Sequence, residues 1–170
     1  MLLEAELAQA AEATAKFLKD NVGRLPEVWN PQKPGKITRG ENLAGLPYLV
    51  VDMPSWYSKE DILAVRTLLW WGNGIYHSLQ VSGKALIPVS ATAFGKINGD
   101  WLTVTGNDPW SYEAEQLKML KEHYPSPESL NQRIQAAGFL KIVIRRPFSA
   151  IHKCSEEIQK LAGWLLDYQS

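Results

Sequence analysis

Over residues 59–82 the chain passes from a run apolar nearly all round, through Trp70-Trp71 and the breaker Gly72-Asn73-Gly74, into a run of alternating character. No other stretch limits the fold so strongly. Ser58 and Asp61 form a Ser-x-x-acid capping box. Behind it, Ile62, Leu63, Val65, Leu68 and Leu69 wrap most of the circumference of a helix drawn over 59–71, and Arg66 is its one charge beyond the first turn. A helix apolar on all sides belongs in an interior. The two glycines stop it. From 75 to 82, Ile75, His77, Leu79 and Val81 share one side, while Tyr76, Ser78, Gln80 and Ser82 share the other, the pattern of a half-exposed strand. Neighbouring helical residues diverge by about 100°, so Trp70 and Trp71 cannot serve the same core. One turns inward; the other covers a sheet edge, a pocket or a partner.

The flanking segments set the architecture. Leu3, Leu7, Ala10, Thr14 and Phe17 recur at spacings of four and three and predict a helix over 2–20 that stops by Gly23. Pro26, Pro31 and Pro34 with Gly35 and Gly40 make 23–45 an irregular loop, pinned to the surface by Trp29. The apolar run Leu49-Val50-Val51 predicts a strand over 46–52 covered on both faces. Residues 86–94 fit neither element well, because Pro88 weakens a strand and the β-branched residues weaken a helix. A short strand over 101–105 follows the turn at Asn98-Gly99. Leu117, Leu120 and Tyr124 predict one helix, and Leu130, Ile134 and Ala137 a second, opened by Pro127 and closed by Gly138. Residues 139–146 read as a strand, and 149–168 as a final helix with Ile151, Cys154, Ile158, Leu161, Leu165 and Tyr168 on one stripe. This order lacks regular βαβ alternation. It predicts a single α+β domain over 1–170, with helices, the N- and C-terminal ones included, on a mostly antiparallel or mixed sheet of four to five strands. Residues 1–22 supply the N-terminal helix, 23–45 the Pro/Gly-rich loop and 46–170 the main body.

Charge and cysteine content narrow the function. Eighteen basic residues balance eighteen acidic ones, which removes any net electrostatic drive toward nucleic acid or an anionic membrane. Cys154 is the single cysteine, so no intrachain disulfide forms, and a lone thiol suits a reducing compartment. The early acids Glu4 and Glu6 argue against a secretory signal, and no run approaches the roughly 20 apolar residues of a membrane span. The expectation is a soluble, cytoplasmic protein that binds neither nucleic acid nor membrane.

Chemical signatures are sparse. His77, His123 and His152 share no metal-ligand spacing with one another or with Cys154, and no metal or cofactor is expected. Cys154 occupies an apolar helix position, the place of a small core residue rather than a nucleophile. Phosphate-loop and dinucleotide fingerprints are absent. Residues 129–155 contain no acid but carry Arg133, Lys141, Arg145, Arg146 and Lys153, and Arg145 and Arg146 at the end of the 139–146 strand are candidates to grip a carboxylate or phosphate. Aromatics gather between Trp56 and Tyr112. Two functional readings follow. The first is a non-enzymatic binding or interaction domain, its pocket or surface formed by Trp70, Trp71, Tyr76 and His77, for a small molecule or a protein partner. The alternative is a small enzyme acting on an anionic or aromatic molecule, with His77 as acid/base, Asp52 as its orienter, and Arg66 or Arg145 as the anion grip. The terminal helices, with their three-four stripes, also suit a homo-oligomer.

Overall fold

Residues 62–70 are a strand. The computed structural model, which describes residues 2–24 and 35–169, places them in β3 (Ile62–Trp70) rather than in the helix that their all-round apolarity predicts. A strand covered on both faces presents the same apolar signature. Length and the β-branched Ile62, Val65 and Thr67 decide for the strand. The Ser58/Asp61 pair does form: Asp61 N donates to Ser58 Oγ at 3.1 Å and Ser58 N to the Asp61 carbonyl at 2.9 Å. It closes a turn between β2 (Leu46–Tyr57) and β3 instead of opening a helix. Gly72 and Gly74, both at positive φ, turn β3 into β4 (Gly74–Ser82).

Seven further elements differ from expectation. The 23–45 loop contains an edge strand, β1 (Thr38–Leu43), while its proline-rich part and Trp29 lie outside the described residues. The 46–52 strand runs on to Tyr57. Residues 86–94 resolve into an irregular segment and a short helix, α2 (Ala91–Gly95). The strand at 101–105 shortens to β5 (Leu102–Val104), and the helix at Leu117 is instead a short strand, β6 (Leu117–Met119), followed by one turn, α3 (Leu120–His123). The last helix is preceded by a 3₁₀ segment, Phe148–Lys153. β4 is buried along eight of its nine residues rather than half-exposed. The expectations for α1 (Leu2–Asp20), α4 (Pro127–Ala137), β7 (Phe139–Arg146) and the body of α5 (Cys154–Tyr168) match the structure. Gly138, at φ 77, ends α4.

The fold is α+β. Among the described residues seven strands, more than the four to five expected, form one open sheet in the order β1-β2-β3-β4-β7-β5-β6, and every neighbouring pair is antiparallel. Strand residues alternate between the two faces. Leu49 and Val51 of β2, Leu63, Val65 and Leu69 of β3, Ile75, Leu79 and Val81 of β4, and Leu140, Ile142 and Ile144 of β7 meet α1 and α5 in the main core. The terminal stripes are occupied within the chain: α1 packs on α5 and β2, burying Leu7, Ala10, Ala11, Thr14, Ala15 and Leu18. No helix among the described residues is long and apolar enough to cross a membrane.

Among the described residues the opposite face has no helix layer of this kind. Its smaller apolar cluster joins Leu68, Trp70, Tyr76 and Val143 to Tyr112 from the loop at 105–116. Trp70 and Trp71 therefore do serve different sides, through the two-fold alternation of a strand rather than the 100° step of a helix. Trp70 belongs to this smaller cluster, and Trp71 packs on the main core beside Phe148, ring centroids 6.0 Å apart.

The β3–β4 turn has little tolerance. A Cβ on Gly74, at φ 120, would lie 2.7 Å from the Arg146 carbonyl oxygen, whereas one on Gly99 would meet nothing within 4 Å. Gly74→Ala is expected to lower the unfolding free energy by about 1–3 kcal/mol, and Gly99→Ala to leave it nearly unchanged, as read by denaturant unfolding of both variants.

Candidate functional site

A single row of paired residues crosses the helix-free face: Asp52 of β2 opposite Arg66 of β3, Arg66 opposite Ser78 of β4, and Ser78 opposite Val143 of β7. Arg66 grips Asp52 with both arms, Nε to Oδ1 at 2.7 Å and Nη2 to Oδ2 at 2.9 Å. Such a fork-to-fork pair fixes orientation as well as charge. Burial opposes the guanidinium's charge, and the Asp52 carboxylate outweighs that effect, so Arg66 is held protonated more firmly than usual.

Tyr57 joins the row through a break in β2. Asp52 and Tyr57 are five residues apart and would face opposite sides of a regular strand. The β2–β3 register shifts between Asp52 and Ser55, and the extra residue of a bulge restores the face. Tyr57 Oη then donates to Asp52 Oδ2 at 2.8 Å. Its phenol is pushed up by burial and then by the Asp52 charge, so it stays a donor.

The loop at 105–116 completes the site. Trp110 stacks on Tyr57 with centroids 6.4 Å apart and planes 27° apart, and the Arg66 guanidinium lies 4.8 Å from the Trp110 ring centroid. Both rings remain open to solvent, Tyr57 at 43 % and Trp110 at 42 % of full exposure. Beneath them Tyr112 is buried, its hydroxyl 2.8 Å from Ser78 Oγ, and edge-on to Tyr76 at 5.4 Å. Lys141, at 1 % exposure, donates from Nζ to the carbonyls of Pro109 (2.6 Å) and Ser111 (3.2 Å).

The residues singled out from sequence divide between the two faces. Asp52, Arg66, Trp70, Tyr76 and Arg145 share the helix-free face. Arg145 lies 5.5 Å from the Tyr76 ring centroid and donates to the Asn73 carbonyl at 3.1 Å. Trp71 lies at the end of β3 on a separate cavity of about 290 Å³, lined by Leu3, Tyr48, Leu49 and Arg39. His77 points under the helices at 1 % exposure, with Nδ1 2.9 Å from Thr67 Oγ1. The His77–Asp52 dyad is therefore not assembled: the two residues project from opposite sides of the sheet. The basic run 129–155 is split in the same way. Arg146 pairs with Glu157 and Asp100, and Arg133 donates to the Val104 and Gly106 carbonyls. Cys154 is sealed, and burial first, then Glu6 and Glu157, push its thiol up to about 12. Among the described residues no group of three or more His, Cys, Asp or Glu converges as metal ligands would.

The sequence names Tyr57, Trp110 and Tyr112 only within the aromatic group between Trp56 and Tyr112, Lys141 only within the basic run and Ser78 only as a strand residue; it marks none of them as a site residue. Pro54 inside an otherwise extended run, a bulge signal, was the one local cue that Tyr57 could share a side with Asp52. Nothing local placed Trp110 against them. No known protein family, curated protein or solved structure matches this chain.

Burial, then the nearby Arg146 charge, lowers the His77 pKa from 6.5 to about 3. As pH falls, the unfolded chain takes up this proton near 6.5 and the folded protein does not until about 3. The stability is thus full above 6.5 and is lost between 6.5 and 3, at about 1.4 kcal/mol per pH unit. His77→Gln is expected to flatten this acid limb by about one proton in denaturant unfolding at pH 4 to 7. An unchanged slope contradicts the assignment.

Proposed function

We propose that this protein is a non-enzymatic interaction domain that captures a polypeptide segment on its helix-free face, with Tyr57, Trp110 and Arg66 as anchors. One observation carries the reading: two large aromatic rings stand stacked and solvent-exposed on a guanidinium that is itself locked by a bidentate carboxylate. Trp, Tyr and Arg are the residue types in which binding energy concentrates at protein interfaces. Holding them in place beforehand reduces the ordering cost of association.

The state of the titratable groups supports binding over catalysis. Both Asp52 oxygens are already engaged by hydrogen bonds from Arg66 and Tyr57, so the carboxylate is committed to holding the platform together. His77 faces the other side of the sheet and is sealed from solvent. Of the aromatic group first considered, Trp70 and Tyr76 act here as buried supports of the platform, and the solvent-facing part belongs to Tyr57 and Trp110.

Selection of a displayed random-peptide library on the folded protein tests this reading. Peptides enriched on the wild type should lose about 30-fold or more in affinity on Trp110→Ala or Tyr57→Ala, which corresponds to the roughly 2 kcal/mol of a hot-spot residue. They should be indifferent to Trp71→Ala. Both platform rings are exposed, so these variants should retain wild-type unfolding midpoints within a few degrees. Enriched peptides that bind the platform variants as tightly as the wild type contradict the proposal.

A further inference from the structure

Strand β2 is longer than the neighbour that covers its outer edge. β1 pairs with β2 only over residues 46–50 of the latter. Beyond them Gly35 lies so close to the Asp52 carbonyl that a Cβ has no room there. β2 itself continues to Tyr57, and over residues 55–57 β3 is its only sheet partner among the described residues. The register break between Asp52 and Ser55 thus divides the outer edge into a covered part before it and an open part after it.

The ladder with β3 decides which main-chain groups are open. Hydrogen-bonded and non-bonded residue pairs alternate along two antiparallel strands. Ser58 N donates to the Asp61 carbonyl at 2.9 Å, so Ser58 and Asp61 are a bonded pair. Tyr57 opposite Ile62 is then non-bonded, Trp56 opposite Leu63 bonded, and Ser55 opposite Ala64 non-bonded. The N–H and C=O of Ser55 and of Tyr57 therefore point away from β3, and no described residue bonds to any of the four. Both residues are exposed. Both side chains stand on the helix-free face, since their partners Ala64 and Ile62 share the side of Arg66. Two donors and two acceptors in this spacing are matched group for group by the backbone of an extended polypeptide.

We propose that the captured polypeptide binds as an added β-strand along residues 55–57, on the same edge of the sheet as β1. This rests on the reading of Tyr57 and Trp110 as the contact surface, and it adds the backbone mode by which the partner is held. The added strand runs antiparallel, as every other pair in the sheet does. Two of its residues, two positions apart, exchange main-chain hydrogen bonds with Ser55 and Tyr57. The residue across from Tyr57 places its side chain on the same face of the sheet, its Cβ within about 5.5 Å of that of Tyr57. That side chain meets the exposed Tyr57 ring, so an apolar or aromatic residue is favoured at this one position. Tyr57 thereby serves the partner twice, through its ring and through its backbone.

Amide hydrogen exchange followed by nuclear magnetic resonance tests the mode, first on the free full-length protein and then with a peptide enriched on it from the random library. In the free protein the Ser55 and Tyr57 amides should exchange fast and the Trp56 amide slowly. Peptide at 100 times its Kd should slow Ser55 and Tyr57 by about 100-fold. N-methylation then removes the peptide's own donors one at a time. At two alternate positions it should weaken binding about 10-fold or more, and at the position between them it should be tolerated. Ser55→Pro deletes an outward donor at an edge position where proline is accommodated, and should weaken binding by a similar factor at an unchanged unfolding midpoint. If that variant does not fold, the exchange and methylation results still decide the matter. Three results overturn the added strand: Ser55 and Tyr57 amides already slow in the free protein, enriched peptides that leave both amides fast, or N-methyl groups tolerated at every position. Where such peptides still depend on Tyr57 and Trp110, the platform stands and the strand mode alone falls. A library that enriches no peptide dependent on either ring removes both.

Discussion

Antiparallel register across β2, β3 and β4 is the constraint on which the rest of the structure depends. A strand has two sides, and a shift of one residue exchanges them completely. With the observed pairing, Thr67 and His77 lie opposite each other in the row beneath the helices, while Asp52, Arg66 and Ser78 form the neighbouring row on the other side. The same alternation that delivers Leu63, Val65, Leu69, Leu79 and Val81 to the core therefore delivers a carboxylate, a guanidinium and a hydroxyl to one line on the opposite face. The ion pair forms because the register has already placed its partners directly across from each other.

The two faces are closed by different physics. Under α1 and α5 the sheet is sealed by apolar side chains, whose stabilisation needs no special geometry. The other face is closed by the loop at 105–116, which brings few apolar groups and is fastened by polar ones: Arg133 on Gly106, Lys141 on Pro109 and Ser111, and Tyr112 on Ser78. Such fasteners depend on charge and geometry. They leave the loop's outer surface unburied, and that is where Tyr57 and Trp110 meet. A rigid sheet carrying a polar-fastened loop is the usual division between scaffold and contact surface in binding domains.

Much of the fold was legible in the sequence, because α1, α4, β7 and α5 carry strong periodicities with clear stops such as Gly138. The failure at Ile62–Trp70 has a physical cause. Apolarity on all sides signals burial from every direction, and burial alone does not distinguish a helix from a strand covered on both faces. The error in β4 is related: Tyr76, Ser78 and Gln80 look like a solvent-facing side but lie beneath Tyr112 and its neighbours, which come from another part of the chain. Of the residues singled out from sequence, Asp52 and Arg66 were within reach of a local reading, since each sits in an apolar run that makes a charge conspicuous. The contributions of Tyr57, Trp110 and Lys141 were not. They require a bulge, a loop conformation and a sheet order in which β7 lies between β4 and β5, and none of these is encoded in local periodicity.

One face of the sheet is sealed by helices, while the other presents a preassembled aromatic pair to solvent. Hydroxyl-radical footprinting across a range of protein concentrations, resolved residue by residue, tests it most directly. Tyr57 and Trp110 should be oxidised rapidly at every concentration, while Trp70, Tyr76, Tyr112, Trp101 and Trp164 react slowly. Protection of Tyr57 and Trp110 at the lowest concentration, or rapid oxidation of Tyr76 and Tyr112 beneath them, would contradict it.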